Sequence, residues 1–154
     1  MKILSVGRGF TIVEVLLVVV ISAIIAAIVI PRLGKGGLFD KLNVYTTAHE
    51  ITATIRLARR LAVTTGLNHR VKFYNINGSS DYNQYKLEKN DGGWTVVNAA
   101  KDIPDEIRVR GDDEVTFRPT GVATADETFR YEIGAYKYRA RVKEETGRVI
   151  LEAY

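Results

Sequence analysis

The sequence predicts an α+β protein in which a long N-terminal helix precedes an antiparallel β domain packed by one further helix. Three observations lead to this prediction: an apolar run over Phe10 to Ile30, a helical period over residues 38–66, and a two-residue period over residues 67–154. The 154 residues provide for one membrane segment and one modest domain with a single core.

The composition and the absence of known catalytic motifs argue against a disordered protein and against an enzyme. Charged residues make up 26% and hydrophobic residues 46%, which are ordinary values for a folded protein. The absence of cysteine excludes disulfides, thiolate metal sites and a cysteine nucleophile. No HExxH, GxSxG, P-loop or GxGxxG pattern occurs, and His49 and His69 lack partners at metal-ligand spacing. We therefore expect no enzyme activity, no metal and no cofactor.

The run from Phe10 to Ile30 is long enough to cross a membrane. As a helix it would span roughly 31 Å, close to the hydrocarbon thickness of a bilayer. An ordinary signal peptide would have a shorter apolar stretch, and a small-residue cleavage site in place of the residues around Pro31. A simple anchor would tolerate Glu14 near the interface, but would leave its position and the preceding Gly9 unexplained.

Cleavage after Gly9 would account for both features. Phe10 would then carry a new ammonium group, and Glu14 would lie about one helical turn away. The Glu14 carboxylate could pair with the amine of its own or an adjacent subunit. Because an unpaired carboxylate in lipid costs about several kcal/mol, this pairing would favour one packing of such helices.

A break and a second helix follow. Pro31 should kink or interrupt the first helix, and residues 31–37, rich in glycine, should form the break. Residues 38–66 should form an amphipathic helix that covers a sheet and stops at Gly66. Its expected apolar stripe comprises Leu38, Leu42, Tyr45, Ala48, Ile51, Ile55, Ala58 and Ala62.

Short strands and turns should make up residues 67–154. Turn signals occur at Asn77-Gly78-Ser79-Ser80, Asp91-Gly92-Gly93, Gly111-Asp112-Asp113 and Thr146-Gly147. Alternating apolar residues predict one antiparallel sheet or two small sheets packed by the helix. The strand signals lie around Val71 and Phe73, Tyr85 and Leu87, Trp94 to Val97, Ile107 and Val109, Val115 and Phe117, Phe129 to Ile133, Tyr136 to Val142, and Val149 and Leu151.

The N-terminus resembles that of type IV prepilins. The basic leader of residues 1–9 ends in Gly9, and Phe10-Thr11-Ile12-Val13-Glu14 opens an apolar helix that ends at Pro31. Type IV pilins and the pseudopilins of type II secretion share this arrangement. The resemblance implies cleavage after Gly9 by prepilin peptidase, N-methylation of Phe10, and an assembly role for the Glu14 carboxylate.

The rest of the chain is similar to the GspH/FimT group of minor pilins and pseudopilins. The segments that carry this similarity are residues 58–62, Val71-Lys72-Phe73, Gly93-Trp94, residues 117–121 and Gly147-Arg148-Val149. Many major pilins carry a C-terminal disulfide loop, which this chain cannot form. Major pseudopilins typically bind calcium, but Asp112-Asp113-Glu114 lacks the ligand spacing of an EF-hand, and we interpret it as a solvated turn.

Four cations alternate along one predicted strand: Lys137, Arg139, Arg141 and Lys143. We call them the basic stripe. The stripe could contact DNA phosphates, as in minor pilins for DNA uptake. It could instead be a solvent face that discourages edge-to-edge aggregation. We favour the solvent face, because Ile150 stands where DNA-binding members of the group are expected to have an arginine.

The resemblance implies a structural subunit rather than an enzyme. Phe10 to Ile30 would hold it in the bacterial inner membrane, with the β domain in the periplasm, before it joins a type II secretion pseudopilus or a type IV pilus. The expected partners are other pilins or pseudopilins of the filament, prepilin peptidase and secreted cargo. DNA binding for uptake in natural competence is the alternative function.

Overall fold

The computed structural model describes residues 10–33, 37–75 and 81–154. Two compact units meet in sequence between Phe39 and Asp40. Helix α1 spans Ile12–Leu33 and helix α2 spans Leu38–Thr65; nine strands follow. The predicted α+β class, with a long apolar helix and an antiparallel β domain packed by a second helix, is confirmed.

Helix α1 continues through Pro31 and ends at Leu33, so the expected interruption at the proline is wrong, whereas a kink there stays a prediction. A proline ring removes one backbone donor and crowds the preceding turn, but its fixed φ is compatible with helix and the following residues can remain helical. The separation between the two helices therefore begins after Leu33 and not at Pro31. Residues 34–36 lie outside the described chain, and Gly37 forms a bend.

Helix α2 buries one face against the β domain. That face consists of Val44, Ala48, Ile51, Thr52, Ile55, Ala58 and Ala62. The first part of the expected stripe is wrong, since Leu38, Leu42 and Tyr45 are 71%, 55% and 44% exposed. Burial begins at Val44, which continues the spacing of the later buried residues by one more turn.

The end of α2 is confirmed at the predicted glycine. Gly66 has a φ of 70°, in the left-handed region that glycine adopts without a steric penalty. Its backbone N–H donates to the carbonyl oxygen of Ala62 at 3.1 Å, which satisfies one of the last carbonyl groups of the helix.

The strands form two antiparallel sheets. The first sheet has the order β3-β2-β1-β6, with β4 also paired to β2. Its strands are β1 (Asn68–Tyr74), β2 (Gln84–Asn90), β3 (Trp94–Val96), β4 (Lys101–Asp102) and β6 (Glu114–Phe117). Strand β4 was not predicted, because two residues are too few to show an alternating pattern. The predicted Asn77–Ser80 turn falls on residues 76–80, outside the described chain.

The second sheet has the order β5-β7-β8-β9. Its strands are β5 (Arg108–Gly111), β7 (Glu127–Ile133), β8 (Tyr136–Val142) and β9 (Val149–Ala153). One core lies between the sheets and α2. The ring of Phe73 from β1 lies 4.6 Å from that of Phe129 from β7, measured between centroids, and Tyr131 is fully buried. The two sheets and α2 therefore fold as one hydrophobic unit.

Candidate functional site

The start of α1 is a capped helix terminus. The backbone N–H of Glu14 donates to the side-chain hydroxyl oxygen of Thr11 at 3.2 Å and to its carbonyl oxygen at 3.0 Å. Thr11 is thus the N-cap and Glu14 the third helical residue, which is the spacing of a capping box. Sequence reasoning missed the role of Thr11, although the Thr-x-x-Glu pattern of residues 11–14 was a signal for it.

The Glu14 carboxylate lies in the first turn of α1, and it is the only charged side chain between Ile12 and Ile30. It is exposed and makes no hydrogen bond or ion pair with the described residues. Phe10 is 80% exposed, and the apolar residues from Ile12 to Ile30 are not buried. By length and composition this helix can cross a membrane. Gly9, the predicted cleavage residue, lies outside the described chain.

The basic stripe lies on strand β8 and just beyond it, as the alternation predicted. Lys137, Arg139 and Arg141 lie on the face opposite the buried Ala140 and Val142. Each cation of the stripe has a carboxylate partner. The pairs are Lys137–Glu132 at 3.8 Å, Arg139–Glu152 at 2.6 Å, Arg141–Glu152 at 2.9 Å and Lys143–Asp126 at 2.6 Å.

These ion pairs reduce the net positive charge that the stripe presents to an incoming anion. The hydrogen bond from Lys143 and that from the Glu144 backbone hold the pKa of Asp126 below its usual range. Two of the partner carboxylates, Asp126 and Glu152, are far from the stripe in sequence. Each carboxylate offsets positive charge that would otherwise attract a phosphate, so the stripe is a poorer phosphate-binding surface than its sequence suggested.

Each acidic side chain of the turn over residues 112–114 has a hydrogen-bond or ion-pair partner elsewhere in the β domain. Asp112 accepts a hydrogen bond from the Thr128 backbone N–H at 2.7 Å. Asp113 accepts one from the Tyr82 hydroxyl at 2.5 Å, and Glu114 lies 2.8 Å from Nη1 of Arg70. Among the described residues, His, Asp and Glu side chains form no group of three or more that could hold a metal ion.

Three segments that are distant in sequence, one of them within α2, meet around the Arg59 side chain. The Nε of Arg59 donates to the Gly121 carbonyl oxygen and its Nη2 to that of Thr146, each at 2.9 Å. Gly147 has a φ of 60°, and a Cβ there would lie 1.9 Å from the Gly121 oxygen. Through these two hydrogen bonds Arg59 connects α2 to the turn after β6 and to the turn before β9. The three segments that meet here, residues 58–62 of α2, residues 117–121 and residues 147–149, are also segments that carry the sequence similarity described above.

Two family models match the chain. The model described as "Type II transport protein GspH" matches residues 47–145, and that of the "Prokaryotic N-terminal methylation motif" matches residues 5–30. Among curated proteins, no sequence matches the chain.

The fold is similar to that of a minor pilin and of a minor pseudopilin. The type IV minor pilin FimU of Pseudomonas aeruginosa PAO1 is 16% identical, with a TM-score of 0.60 over 76% of this chain and 97% of that chain. The minor pseudopilin EpsH from the type 2 secretion system of Vibrio cholerae is 12% identical, with a TM-score of 0.60 over 72% of this chain and 97% of that chain. The capped apolar helix, the helix-packed sheets and the family match over residues 47–145 together lead to one assignment. The chain belongs to the GspH family of type II transport proteins, and its N-terminal region carries the prokaryotic N-terminal methylation motif.

Proposed function

We propose that the chain matures by cleavage between Gly9 and Phe10 and then enters a type II secretion pseudopilus or a type IV pilus as a structural subunit. Before assembly α1 holds it in the inner membrane, with the β domain in the periplasm. One observation carries this proposal: α1 places the Glu14 carboxylate in the first turn of an apolar helix, without a partner among the described residues.

Assembly supplies the missing partner. Cleavage gives Phe10 an ammonium group beside the positive end of the α1 helix dipole, and Glu14 of an adjacent subunit can pair with it. A carboxylate left unpaired among packed helices would cost about several kcal/mol. The pairing therefore fixes the axial register of neighbouring helices, and N-methylation of Phe10 retains the positive charge of the amine.

The β domain contributes surfaces and no chemistry in this proposal. Other subunits of the filament and secreted cargo are its partners. DNA binding by the basic stripe is not part of the proposal, because Lys137, Arg139, Arg141 and Lys143 each have a carboxylate partner.

Mass spectrometry of the membrane-extracted protein tests the maturation step. We expect a mature N-terminus at Phe10 that carries one methyl group. Gly9→Val should leave only the full-length form. Gly37→Ala is the matched control and should mature normally, because a Cβ at Gly37 meets no atom within 4 Å. An intact Met1 in the wild-type protein, or a cut at another bond, would contradict the proposal.

A further inference from the structure

A cleft of about 480 Å³ lies beside the last turns of α2, between the helix and the two turns that Arg59 fastens. Four arginines contribute to its lining: Arg56, Arg59, Arg60 and Arg148. The remaining lining residues are apolar or neutral, including Val63 and Val149, and no acidic residue is among them. The cleft thus combines concentrated positive charge with apolar surface.

The four arginines divide into two groups. Arg59 is occupied by the carbonyl oxygens of Gly121 and Thr146, and Arg56 donates to the carbonyl oxygen of Val149 at 3.3 Å. The backbone of Arg60 accepts a hydrogen bond from the Thr64 hydroxyl and that of Arg148 donates one to the Thr146 hydroxyl. Their guanidinium groups make no hydrogen bond or ion pair within the described ranges, and both residues are exposed. Two guanidinium groups are therefore available to an incoming anion.

We propose that this cleft binds an acidic segment of a partner polypeptide. Arg60 and Arg148 would each take a carboxylate, because the planar guanidinium group presents parallel N–H donors that match the two carboxylate oxygens. An apolar side chain of the same segment would pack on Val63, which lines the cleft and is 55% exposed. The segment that fits is one in which acidic and apolar side chains alternate.

The surroundings of the cleft favour a polypeptide over a nucleic acid. Glu144 and Glu145 are exposed on the same turn as Arg148 and would repel any run of negative charge that continues past it. A short peptide can end its acidic residues at Arg148, whereas a phosphate backbone cannot. DNA carries closely spaced phosphates and needs a continuous basic track. The cations of the basic stripe, which would have to extend such a track, are already ion-paired.

Fluorescence anisotropy with the full chain in non-ionic detergent tests this proposal. The probe is a labelled peptide in which glutamate and valine alternate, compared with a counterpart that has glutamine in place of glutamate. We expect the acidic peptide alone to bind, and Arg60→Gln with Arg148→Gln to weaken it by at least about tenfold. The matched control is Arg108→Gln with Arg130→Gln, which removes two arginines without ion pairs in the described ranges and should leave the affinity nearly unchanged.

Three outcomes would overturn the inference. The acidic peptide does not bind the wild-type chain, or both double variants weaken it equally, which would indicate unspecific attraction to a basic protein. In the third outcome a short DNA duplex binds through Arg60 and Arg148 while the peptide does not, which would assign the cleft to nucleic acid. Circular dichroism of each variant checks that it is folded. The assay does not involve maturation, so its failure leaves the proposed function standing.

Discussion

The Oε1 atom of Glu152 accepts hydrogen bonds from both Nε and Nη2 of Arg139, at 2.9 and 2.6 Å. The same oxygen lies 2.9 Å from Nη2 of Arg141. The hydrogen bond from Arg139 is the main reason that the pKa of Glu152 is lowered. One carboxylate from β9 therefore holds the two central cations of the basic stripe on β8.

DNA affinity should consequently depend little on these arginines. We expect Arg139→Ala with Arg141→Ala to change the affinity of the chain for duplex DNA by less than about twofold. Glu152→Gln should instead raise DNA affinity at low salt, because it frees both guanidinium groups. A gel-shift titration at several salt concentrations measures both effects. Salt-dependent binding that disappears in the double alanine variant would revive the DNA-uptake function.

Assembly should require the charge of Glu14. Glu14→Gln removes that charge while keeping the size of the side chain, and the capping hydrogen bond from the backbone N–H of residue 14 to the Thr11 hydroxyl is retained. We expect Glu14→Gln and Glu14→Ala to be cleaved normally but to enter filaments at least about tenfold less than wild type. Thr11→Ser, which retains a capping hydroxyl, is the control and should assemble. Filament fractionation followed by immunoblotting measures incorporation, and normal incorporation of Glu14→Gln would contradict the pairing.

Gly147→Ala should destabilise the β domain strongly. The added Cβ would lie 1.9 Å from the Gly121 carbonyl oxygen, and the residue would have to keep a positive φ. Gly134→Ala is the matched control, since Gly134 has a φ of 55° but no atom within 4 Å of a Cβ. We expect the control to cost about 1 kcal/mol and Gly147→Ala at least about 2 kcal/mol more. Urea denaturation measures both, and equal costs would show that the two turns can separate freely.

Stability should fall as the pH rises from about 4.5 to about 8 through the titration of Glu127. Burial, then the hydrogen bond and repulsion from Asp112, raise the pKa of this carboxyl group from 4.5 to about 8. In that window the unfolded chain has lost the proton while the folded chain still holds it, so ionisation favours unfolding. The effect should be about 1 kcal/mol or less, because the group is partly exposed.

Glu127→Gln tests the assignment of this pH dependence. The variant cannot ionise at residue 127, so its melting temperature should fall less than that of wild type between these pH values. Asp105→Asn is a suitable control, because Asp105 is exposed and outside the Asp112–Glu127 contact. An unchanged pH profile in Glu127→Gln would show that other groups cause the loss of stability.

Periodicity could predict elements and faces, but not neighbours across strands. The alternation of Arg139 and Arg141 correctly placed both on one face of β8. The turn signal at Thr146-Gly147 indicates that β8 and β9 are neighbours, but it does not fix the register that brings Arg139 opposite Glu152. The electrostatic character of the stripe was therefore beyond sequence reasoning.

The helices show a similar limit. The spacing of Ile51, Ile55, Ala58 and Ala62 predicted the buried face of α2, because the β domain covers it there. Leu42 follows the same period and is nevertheless 55% exposed. Apolar spacing reports which residues share a face, whereas burial depends on what covers that face. The convergence of Arg59, Gly121 and Gly147 is likewise a tertiary contact that no sequence window contains.

The hydroxyl of Thr11 has a consequence for how related subunits can diverge. It accepts a hydrogen bond from the free backbone amide of Glu14 in the first turn, and the Glu14 carboxylate takes no part in this bond. The charged groups that pair with a neighbouring helix, the Phe10 amine and the Glu14 carboxylate, can then both lie in the first turn of α1. Under our proposal, selection can remodel the β domain for new binding partners without disturbing the rule by which subunits join the same fibre.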